Sequence, residues 1–415
     1  MTDQPQHAIY LDHAAATPMS DGVLEAMQPF FAGRFYNPSA LYLAAKDVHH
    51  QLEIAREAVA SILGARPGEV VFTAGGTEAN NLAISGVMQQ FPDGNIVTTA
   101  IEHDSVLRPA AQYKHCTVGV SSGGVTDLQE LEKTIDAQTV LVSVMYANNE
   151  TGVIQPLTSV ARLVQDIRRE RIASGNLTPL YLHTDACQAA NYLPLTKARL
   201  GIDLMTLNGG KIYGPKQSGC LFVRAGVKLN PQILGGGQER GARSGTENVP
   251  AIMGFAHALS MAQARRDEES NRLRELQRYF IQQLSLQLPS VVVTGSLQET
   301  TSSEEAAAII AKHPDALARS LPAMLPNFVH IRITGADNER LIMELDERGI
   351  MAAAGSACSA SSDEPSHVLQ SMGLSEVDAQ SSIRFTMGQS TTREDIDTVV
   401  KTLAAIDPML YTVVS

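Results

Sequence analysis

The chain has 415 residues, enough for two or three domains with buried cores, which excludes a peptide hormone, a fibre and a disulfide miniprotein. Its 32 basic and 44 acidic residues give a formal net charge of −12, which argues against a broad surface for nucleic acid. Hydrophobic residues make up 44% and charged residues 18% of the chain, a composition typical of globular rather than disordered proteins.

The chain begins MTDQPQHAIYLDH, without a basic region followed by an apolar one, and no later stretch is apolar enough to span a bilayer. The four cysteines are widely scattered, with no C-x-x-C pair and no histidine at zinc-finger spacing. We therefore expect a soluble cytoplasmic protein without a structural metal, a disulfide framework, a membrane partner or a direct nucleic-acid partner.

Between about residue 50 and residue 225, β-rich runs alternate with helical patterns, which predicts a mostly parallel sheet covered by helices on both faces. The predicted strands are EVVFT (69–73), NIVTTA (95–100), VLVSVMYA (140–147), LYLHT (180–184), DLMTL (203–207) and CLFVR (220–224). The helical segments between them include QLEIAREAVASIL, TDLQELEKTI and SVARLVQDIRRERI. These elements predict one large α/β domain.

A Gly-rich segment, residues 234–248, precedes a long helical pattern from Ala251 to about Leu288. VVVTG, FVHIRIT, NERLIMELDERG, SIRFTM and a last helix around REDIDTVVKTLAAI follow and predict a smaller α+β domain. The predicted large domain covers residues 18–260, and the predicted small domain combines residues 1–17 with residues 261–415.

Ligands of an open α/β sheet bind beyond the carboxyl ends of its strands, so polar residues that follow the predicted strands are candidates for a site. They are Thr77, His103, Asn149, Asp185 and Lys211. The Gly-Gly pair before Thr77 permits a tight turn into a helix whose N–H groups can hold a phosphate, although such a pair is as often only a turn. A single His or Asn at a strand end is more often a cap than a functional group.

Lys211 follows two glycines at a predicted strand end, where a lysine can form a Schiff base with a carbonyl cofactor. Asp185 can pair with a protonated pyridine nitrogen or can simply cap a helix. A phosphate cradle, a carboxylate and a lysine in this order fit pyridoxal 5′-phosphate better than a nicotinamide or ATP. Neither G-x-G-x-x-G nor G-x-x-x-x-G-K-[ST] occurs in the chain.

Nine ordered motifs between Ile9 and about Ile406 resemble those of the cysteine desulfurases of the NifS and IscS type. They are IYLDHAAATP, FTAGGTEANN, EHDSVL, NNETGVIQP, DACQ, GGKIYGPK, GGGQERGARSGTEN, GSACSASSDEPSHVL and SSIRFTMG. The resemblance implies the class V aminotransferase family, pyridoxal phosphate fold type I and an obligate homodimer. It also implies conversion of L-cysteine to L-alanine, with sulfur transferred to an enzyme cysteine as a persulfide. A protein acceptor such as an iron-sulfur scaffold would receive this sulfur for iron-sulfur cluster assembly or for thiolation.

The same resemblance, carried over residue by residue, implies the cofactor contacts. The residues concerned are Gly76, Thr77, His103, Asn149, Asp185, Gln188, Asn208, Lys211 and Thr246. Lys211 is implied to carry the Schiff base, His103 to stack on the pyridine ring and Asp185 to pair with the ring nitrogen. Gln188 and Asn149 are implied to contact the ring oxygen or its vicinity. The remaining residues belong to the phosphate site, to which Thr246 would reach from the other subunit.

The substrate and sulfur residues are implied in the same way. Asn37 and Arg384 would bind the substrate carboxylate, and an Arg inside the apolar run SSIRFTM needs an anion, either this carboxylate or a structural Asp or Glu. Cys358 lies in the Gly-, Ala- and Ser-rich run AAAGSACSASSDEPS and is implied to accept the sulfur. The other cysteines are expected to be small buried hydrophobes, namely Cys116, Cys187 and Cys220.

Four departures from the family pattern leave alternatives open. Gly210 replaces a His before the lysine, Asn208 replaces a Ser, and Leu43 stands near the place of another His. The segment around residues 296–324 is longer than the usual link and predicts an extra helix, as a surface elaboration or a docking site for a sulfur acceptor.

A selenocysteine lyase, another class V aminotransferase relative and a low-turnover cofactor-binding scaffold are the rival functions. Retention of Lys211 and Arg384, together with Cys358, argues against the scaffold.

Overall fold

The computed structural model describes residues 8–288, 290–296, 298, 309, 316–333, 335–355 and 365–410. The strands are β1 Ile9–Tyr10, β2 Val70–Thr73, β3 Asn95–Thr99, β4 Lys114–Val118, β5 Thr139–Ser143, β6 Tyr181–Asp185, β7 Leu204–Asn208, β8 Gly219–Val223, β9 Val291–Val293, β10 Phe328–Ile333, β11 Ile350–Met351 and β12 Ser382–Thr386. The helices are α1 Asp21–Met27, α2 Leu43–Leu63, α3 Gly76–Met88, α4 Asp104–Ala110, α5 Leu128–Thr134, α6 Leu157–Ala173, α7 Lys197–Leu200, α8 Val249–Gln287, α9 Ala316–Ser320, α10 Asn338–Asp346, α11 His367–Ser371, α12 Glu376–Ala379 and α13 Arg393–Leu410.

The large sheet has seven strands in the order β2-β8-β7-β6-β5-β3-β4. Strands β3 to β7 pair in parallel, whereas β8 is antiparallel to both of its neighbours, β2 and β7. The central strands are buried on both faces, as the apolar runs predict. The predicted α/β fold with a mostly parallel sheet is confirmed.

The sequence analysis missed strand β4. Its residues Lys114–Val118 are mostly exposed at the edge of the sheet, so the segment lacks the apolar run that marks a buried strand. The six predicted strands of this region were each found within one or two residues, except that β5 ends at Ser143, well before the predicted end at residue 147.

A smaller antiparallel sheet, in the order β12-β10-β9, and the parallel pair β1-β11 make up the second region. The long helix α8 contributes to both cores, with Phe255 and Leu259 packed in the first and Leu273 and Phe280 in the second. The domain limits given above stay a prediction. None of the described helices, α8 included, combines the length and apolar content that a membrane span requires.

The long segment around residues 296–324 is described only in part. Its helix α9 directs Leu317 into the core that α8 shares with the smaller sheet, and the backbone N–H of Ile154 donates to Ala323 O (2.8 Å). The end of this segment is therefore packed into the fold. Residues 297, 299–308 and 310–315, on which most of the predicted extra helix falls, lie outside the described residues.

Candidate active site

The carboxyl ends of β2, β3, β5, β6 and β7 border one cleft, which consists of two adjoining cavities. The first has a volume of about 600 Å³ and the second about 160 Å³. Both are lined by Ala15, Gly76, Thr77, Asn208 and Lys211. The second cavity is also lined by further predicted site residues, namely His103, Asn149, Asp185, Gln188 and Arg384. The fold thus brings ten residues of the cleft together from distant parts of the chain, nine of which the sequence predicted.

The phosphate end of the cleft is the start of α3. Gly75 has a φ of +110°, a conformation that L side chains rarely adopt, and it turns the chain from β2 into the helix. A Cβ on Gly76 would lie 2.7 Å from Cys187 Sγ, so no side chain fits there. The first N–H groups of a helix lack partners within it, and α3 is 13 residues long. Gly76 and Thr77 therefore provide a cradle for an anion.

An acidic residue in the first turn of α3 is neutralised. Glu78 accepts hydrogen bonds from Arg243 Nε (2.8 Å) and from the backbone N–H of Ala74 (3.1 Å). Arg243 belongs to the Gly-rich segment that precedes α8. The pair removes the repulsion that Glu78 would otherwise exert on a phosphate at this helix end.

Lys211 ends the 3-10 turn Gly209–Lys211, which follows β7 directly. Its Nζ donates to the backbone oxygens of Ala14 (2.7 Å) and Ala15 (2.6 Å), at the border of both cavities. Asn191 Nδ2 fixes the backbone by donating to Lys211 O (2.7 Å). The amine is therefore held at the cleft by two carbonyl groups.

The two glycines before Lys211 differ in whether the surrounding atoms leave room for a Cβ. A Cβ on Gly209 would approach Ser218 Oγ to 2.1 Å, so that position excludes a side chain. A Cβ on Gly210 would meet only ordinary contacts, the nearest being Asn208 Oδ1 at 3.5 Å, and Gly210 does not have a positive φ. Asn208 Oδ1 accepts from the Gly210 N–H (3.0 Å), so this asparagine supports the turn.

Asp185 and His103 are connected by two residues that the sequence analysis missed. Asn80 Nδ2 donates both to Asp185 Oδ2 (2.7 Å) and to Ser105 Oγ (2.8 Å), and Ser105 Oγ is 2.8 Å from His103 Nδ1. Asn80 lies one helical turn after Gly76, on the face that borders the predicted phosphate cradle. This spacing from Gly76 is the feature of the sequence from which Asn80 could have been predicted as a site residue.

Arg384 is buried, with 2% of its surface exposed, and already has a carboxylate partner. Its Nη2 contacts Asp12 Oδ1 (2.6 Å) and its Nη1 donates to Asn149 O (2.7 Å), while its buried Nε has no partner among the described residues. The structural ion pair considered above is thus present, and Arg384 lines the second cavity as well. Gln188, also on that cavity, donates to Ala14 O (3.0 Å).

Two predicted site residues that the structure describes do not line the two cavities, and a third lies outside the described residues. Asn37 is exposed, and its Oδ1 accepts from the Ser39 N–H (2.9 Å). Thr246 is exposed and lines a separate cavity of about 260 Å³. Cys358 lies outside the described residues.

The expectation of small buried cysteines is confirmed for Cys220 but not for Cys116 or Cys187. Cys116 is exposed, because β4 is an edge strand that the sequence analysis did not recognise. Cys220 is buried, as expected. Cys187 is half-buried and lines the second cavity, and burial together with the negative charge of Asp185 raises the pKa of its thiol well above the usual value. Cys187 is therefore a poor source of thiolate at neutral pH.

The residues of the cleft fit pyridoxal phosphate. A helix start that excludes side chains suits its phosphate, the Asp185 carboxylate suits a pyridinium nitrogen, and Lys211 suits its carbonyl carbon. Within the part of the chain that the structure describes, no three His, Cys, Asp or Glu side chains are grouped as a metal site would require.

Comparisons with known proteins agree with this chemistry. The family model of the class V aminotransferases matches residues 9–324 and 297–399. The cysteine desulfurase IscS of Dictyoglomus turgidum is 35% identical over 412 residues, which cover 98% of this chain and 96% of that protein. A solved NifS-like protein superposes with a TM-score of 0.83 at 31% identity, over 97% of this chain and 100% of its own. The protein SspA, solved in complex with cysteine, has a TM-score of 0.70 at 29% identity, over 91% of this chain and 98% of its own.

The chain belongs to the class V aminotransferase family, and within it to the cysteine desulfurases of the NifS and IscS type. The resemblance seen in the nine motifs is thereby confirmed. The family consists of pyridoxal phosphate enzymes, and the fold of this chain is that of fold type I.

Proposed function

We propose that the chain is an L-cysteine desulfurase that binds pyridoxal phosphate through Lys211. The carrying observation is that the Lys211 amine, the Asp185 carboxylate and the start of α3 border one cleft at the edge of the large sheet. Relatives that are 35% identical over nearly the whole chain bear the name cysteine desulfurase. The balanced reaction is that of L-cysteine with an enzyme thiol, which gives L-alanine and an enzyme persulfide.

The large domain supplies the cofactor contacts in this proposal. Bound pyridoxal phosphate acts as an electron sink for cleavage at the carbons of the amino acid. Gly76 and Thr77 hold the phosphate, His103 covers the ring face, and Asp185 keeps its ring nitrogen protonated by supplying a negative partner. Asn149 and Gln188 line the same cavity as these groups and are suited to the ring oxygen.

Lys211 would attach the cofactor and would also serve as the base that moves protons of the substrate. The carbonyl oxygens of Ala14 and Ala15, which accept its N–H groups at 2.7 and 2.6 Å, give the released amine a position beside the cleft. From there Lys211 can take the proton from the α-carbon and return a proton to the product. The two carbonyl groups thus keep the Lys211 amine at the border of the cleft, within reach of a bound substrate.

Arg384 is proposed to bind the substrate carboxylate from the other side of the cleft. A guanidinium has five N–H donors, and Asp12 Oδ1 and Asn149 O are the partners seen for its two Nη atoms. The buried Nε, to which no described residue bonds, provides a donor for a second anion. Asn37 is assigned to the same carboxylate by the family motif alone.

Cys358 is proposed to accept the sulfur and to pass it to a protein acceptor for iron-sulfur cluster assembly or thiolation. The sequence motif supports this assignment, and the chemistry of Cys187 supports it indirectly. Although Cys187 lines the cleft, its raised thiol pKa disfavours the nucleophilic thiolate. A homodimer is part of the proposal, because Thr246 is exposed and lines a cavity other than the cleft of its own chain.

The function is tested by incubating the purified protein with pyridoxal phosphate and L-cysteine, then measuring alanine and mapping the persulfide by mass spectrometry. We expect alanine and a persulfide on Cys358 in wild type. Cys358→Ser should bind the cofactor without forming a persulfide, and the exposed control Cys116→Ser should behave like wild type. A persulfide on Cys187 would contradict the assignment.

A parallel reaction with L-selenocysteine distinguishes the rival enzymes. Alanine from selenocysteine alone, at a rate that Cys358→Ser does not change, would indicate a selenocysteine lyase. Keto acids formed from other amino acids would indicate an aminotransferase. Cofactor binding without any product would indicate a cofactor-binding scaffold with little turnover.

A further inference from the structure

Asn80 is a buried amide inside the cofactor cleft, and only 1% of its surface is exposed. Its Nδ2 donates to Asp185 Oδ2 at 2.7 Å and to Ser105 Oγ at 2.8 Å, so both amide protons are used. One side chain of α3 therefore contacts the strand end of β6 and the first turn of α4.

The first contact fixes the Asp185 carboxylate. Its Oδ2 accepts from Asn80, and its Oδ1 accepts from the backbone N–H of Cys187 (2.9 Å). With each oxygen held by one donor, the plane of the carboxylate is set by the protein before any cofactor binds.

The second contact fixes the imidazole of His103. The backbone N–H of Ser105 donates to His103 Nδ1 (3.0 Å), which makes Nδ1 an acceptor and places the ring proton on Nε2. Ser105 Oγ accepts from Asn80 and can therefore donate to the same Nδ1, from which it is 2.8 Å away. The ring orientation and the tautomer of His103 both follow from this arrangement.

We propose that Asn80 is a positioning residue that holds Asp185 against the edge of the cofactor ring and, through Ser105, holds His103 against its face. This inference rests on the proposed function, because it takes the roles of Asp185 and His103 from there. Asn80 lines the second cavity, and its proposed role is exerted through its two hydrogen-bond partners. It sets the geometry of the two residues that do contact the ring.

Stability alone does not account for an asparagine at this position. Its Oδ1 is buried and has no partner among the described residues, which opposes burial of the amide. A leucine has nearly the same shape and would bury no orphan oxygen. The two donated hydrogen bonds are what an asparagine adds here.

A matched control lies at the opposite end of the same sheet. Asn95 Nδ2 donates to Asp136 Oδ1 (2.9 Å), and its buried Oδ1 likewise has no partner within the described part of the chain. Asn95 therefore repeats the Asn-to-Asp contact away from the cleft. Asn95→Leu reports the structural cost of such a change alone.

The test compares Asn80→Leu, Asn95→Leu and wild type for the dissociation constant of pyridoxal phosphate and for the absorption spectrum of the bound cofactor between pH 6 and pH 9. We expect Asn80→Leu to weaken cofactor binding about tenfold or more, because a hydrogen bond to a charged group is lost, and to shift the pH titration of the spectrum. Asn95→Leu should change neither quantity, although it lowers the unfolding midpoint.

Two further variants cover the case in which Asn80→Leu does not fold. Asn80→Asp keeps the shape and can donate one proton only while its carboxyl is protonated, so its cofactor binding should weaken with rising pH where that of wild type does not. Ser105→Ala removes the hydroxyl that links Asn80 to His103 but keeps the backbone N–H bond to His103 Nδ1, so it should alter the spectrum with a smaller loss of affinity. Wild-type binding and spectra in all Asn80 and Ser105 variants would overturn the inference. A wild-type protein that does not bind the cofactor would instead overturn the proposed function.

Discussion

The two ends of the large sheet use buried polar groups in opposite ways. At the amino ends of the strands, Arg171 donates to the carbonyl oxygens of Asp136 (2.6 Å), Thr139 (2.9 Å) and Thr178 (3.1 Å). Asp203 at the same end is paired with Arg168 and Arg224. These groups bind one another and tie loops to strands.

At the carboxyl ends, the polar groups border a cleft instead. Asp185, Lys211 and Arg384 line its cavities, and glycines rather than side chains form its phosphate end. The comparison teaches that burial of a polar group does not itself reveal its purpose. Groups at the amino ends should affect stability without activity, whereas groups that line the cleft should affect activity, and Arg384 should affect both because it also pairs with Asp12.

Lys211→Ala should give the largest effect and should separate activity from stability most clearly. Turnover of L-cysteine should fall by about 10³-fold or more, because both the covalent attachment and the base are lost. The free energy of unfolding should change by no more than about 1 kcal/mol, since the half-buried side chain contributes little packing. Alanine assays and urea unfolding measure the two quantities, and appreciable turnover in the variant would break the comparison.

Arg171→Met is the counterpart at the amino ends of the strands. We expect a loss of about 3 kcal/mol in unfolding free energy, because several buried carbonyl groups lose a charged donor. Turnover per folded molecule should be unchanged. A large fall in turnover at unchanged stability would show that the two ends are not separate in function.

Arg384 should combine both effects, because it lines the cleft and is also paired with Asp12. Arg384→Lys keeps the charge but loses the planar fork, and kcat/KM for L-cysteine should fall about 10- to 100-fold. Arg384→Ala should lower kcat/KM further. It should also lower the free energy of unfolding, because Asp12 loses its partner. If kcat/KM stays near normal while stability drops, Arg384 is only a structural ion pair and the substrate carboxylate has another partner.

Gly210→His should tighten pyridoxal phosphate binding about tenfold, since a donor to a charged phosphate contributes roughly 1.5–3 kcal/mol. A Cβ at Gly210 meets only ordinary contacts, whereas Gly209→Ala would clash with Ser218 and serves as the contrasting variant. Equilibrium dialysis measures the affinity. A folded Gly210→His variant that binds the cofactor no better would show that the phosphate site already has the donors it needs.

Glu102→Gln should have the smallest effect, on the pH dependence of stability. Burial raises the pKa of Glu102 to about 8. The folded protein therefore keeps this proton up to about pH 8, while the unfolded chain loses it near pH 4.5, the ordinary pKa of a glutamate side chain. The free energy of unfolding consequently falls as pH rises between these two values.

The slope due to Glu102 is at most about 1.4 kcal/mol per pH unit, and it should be absent from the variant. Urea unfolding of both proteins between pH 6.5 and pH 8 measures the slope due to Glu102. Burial lowers the pKa of His183 to about 4, so His183 makes the free energy of unfolding rise with pH only up to about pH 6.5, below this range. The exposed control Glu132→Gln should keep the wild-type slope. Equal slopes in wild type and Glu102→Gln would contradict the prediction.

Much of the fold was accessible from the sequence because strands buried on both faces are continuous apolar runs. TVLVS and GCLFV are almost entirely buried, and their patterns predicted them. The edge strand β4 was missed because its exposed residues lack that pattern. The exposure of Cys116 follows from the same physical cause.

The site was predictable in its members but not in its internal contacts. Lys211 and Asp185 were found because strand ends in this fold meet at one edge. The pair of Arg384 with Asp12 joins residues 372 positions apart, and no local pattern reports such a contact. Asn80 was missed because the sequence marks it only by its helical spacing from the phosphate cradle. Many other helix residues share such a spacing.

Chemical trapping of the cofactor tests the central claim most directly. The purified protein is loaded with pyridoxal phosphate, reduced with borohydride so that a Schiff base becomes a stable secondary amine, and digested for peptide mass mapping. The account predicts the modification on Lys211, whose amine borders both cavities, and not on the nearby Lys216. Modification of Lys216, or of no lysine in the cleft, would contradict it.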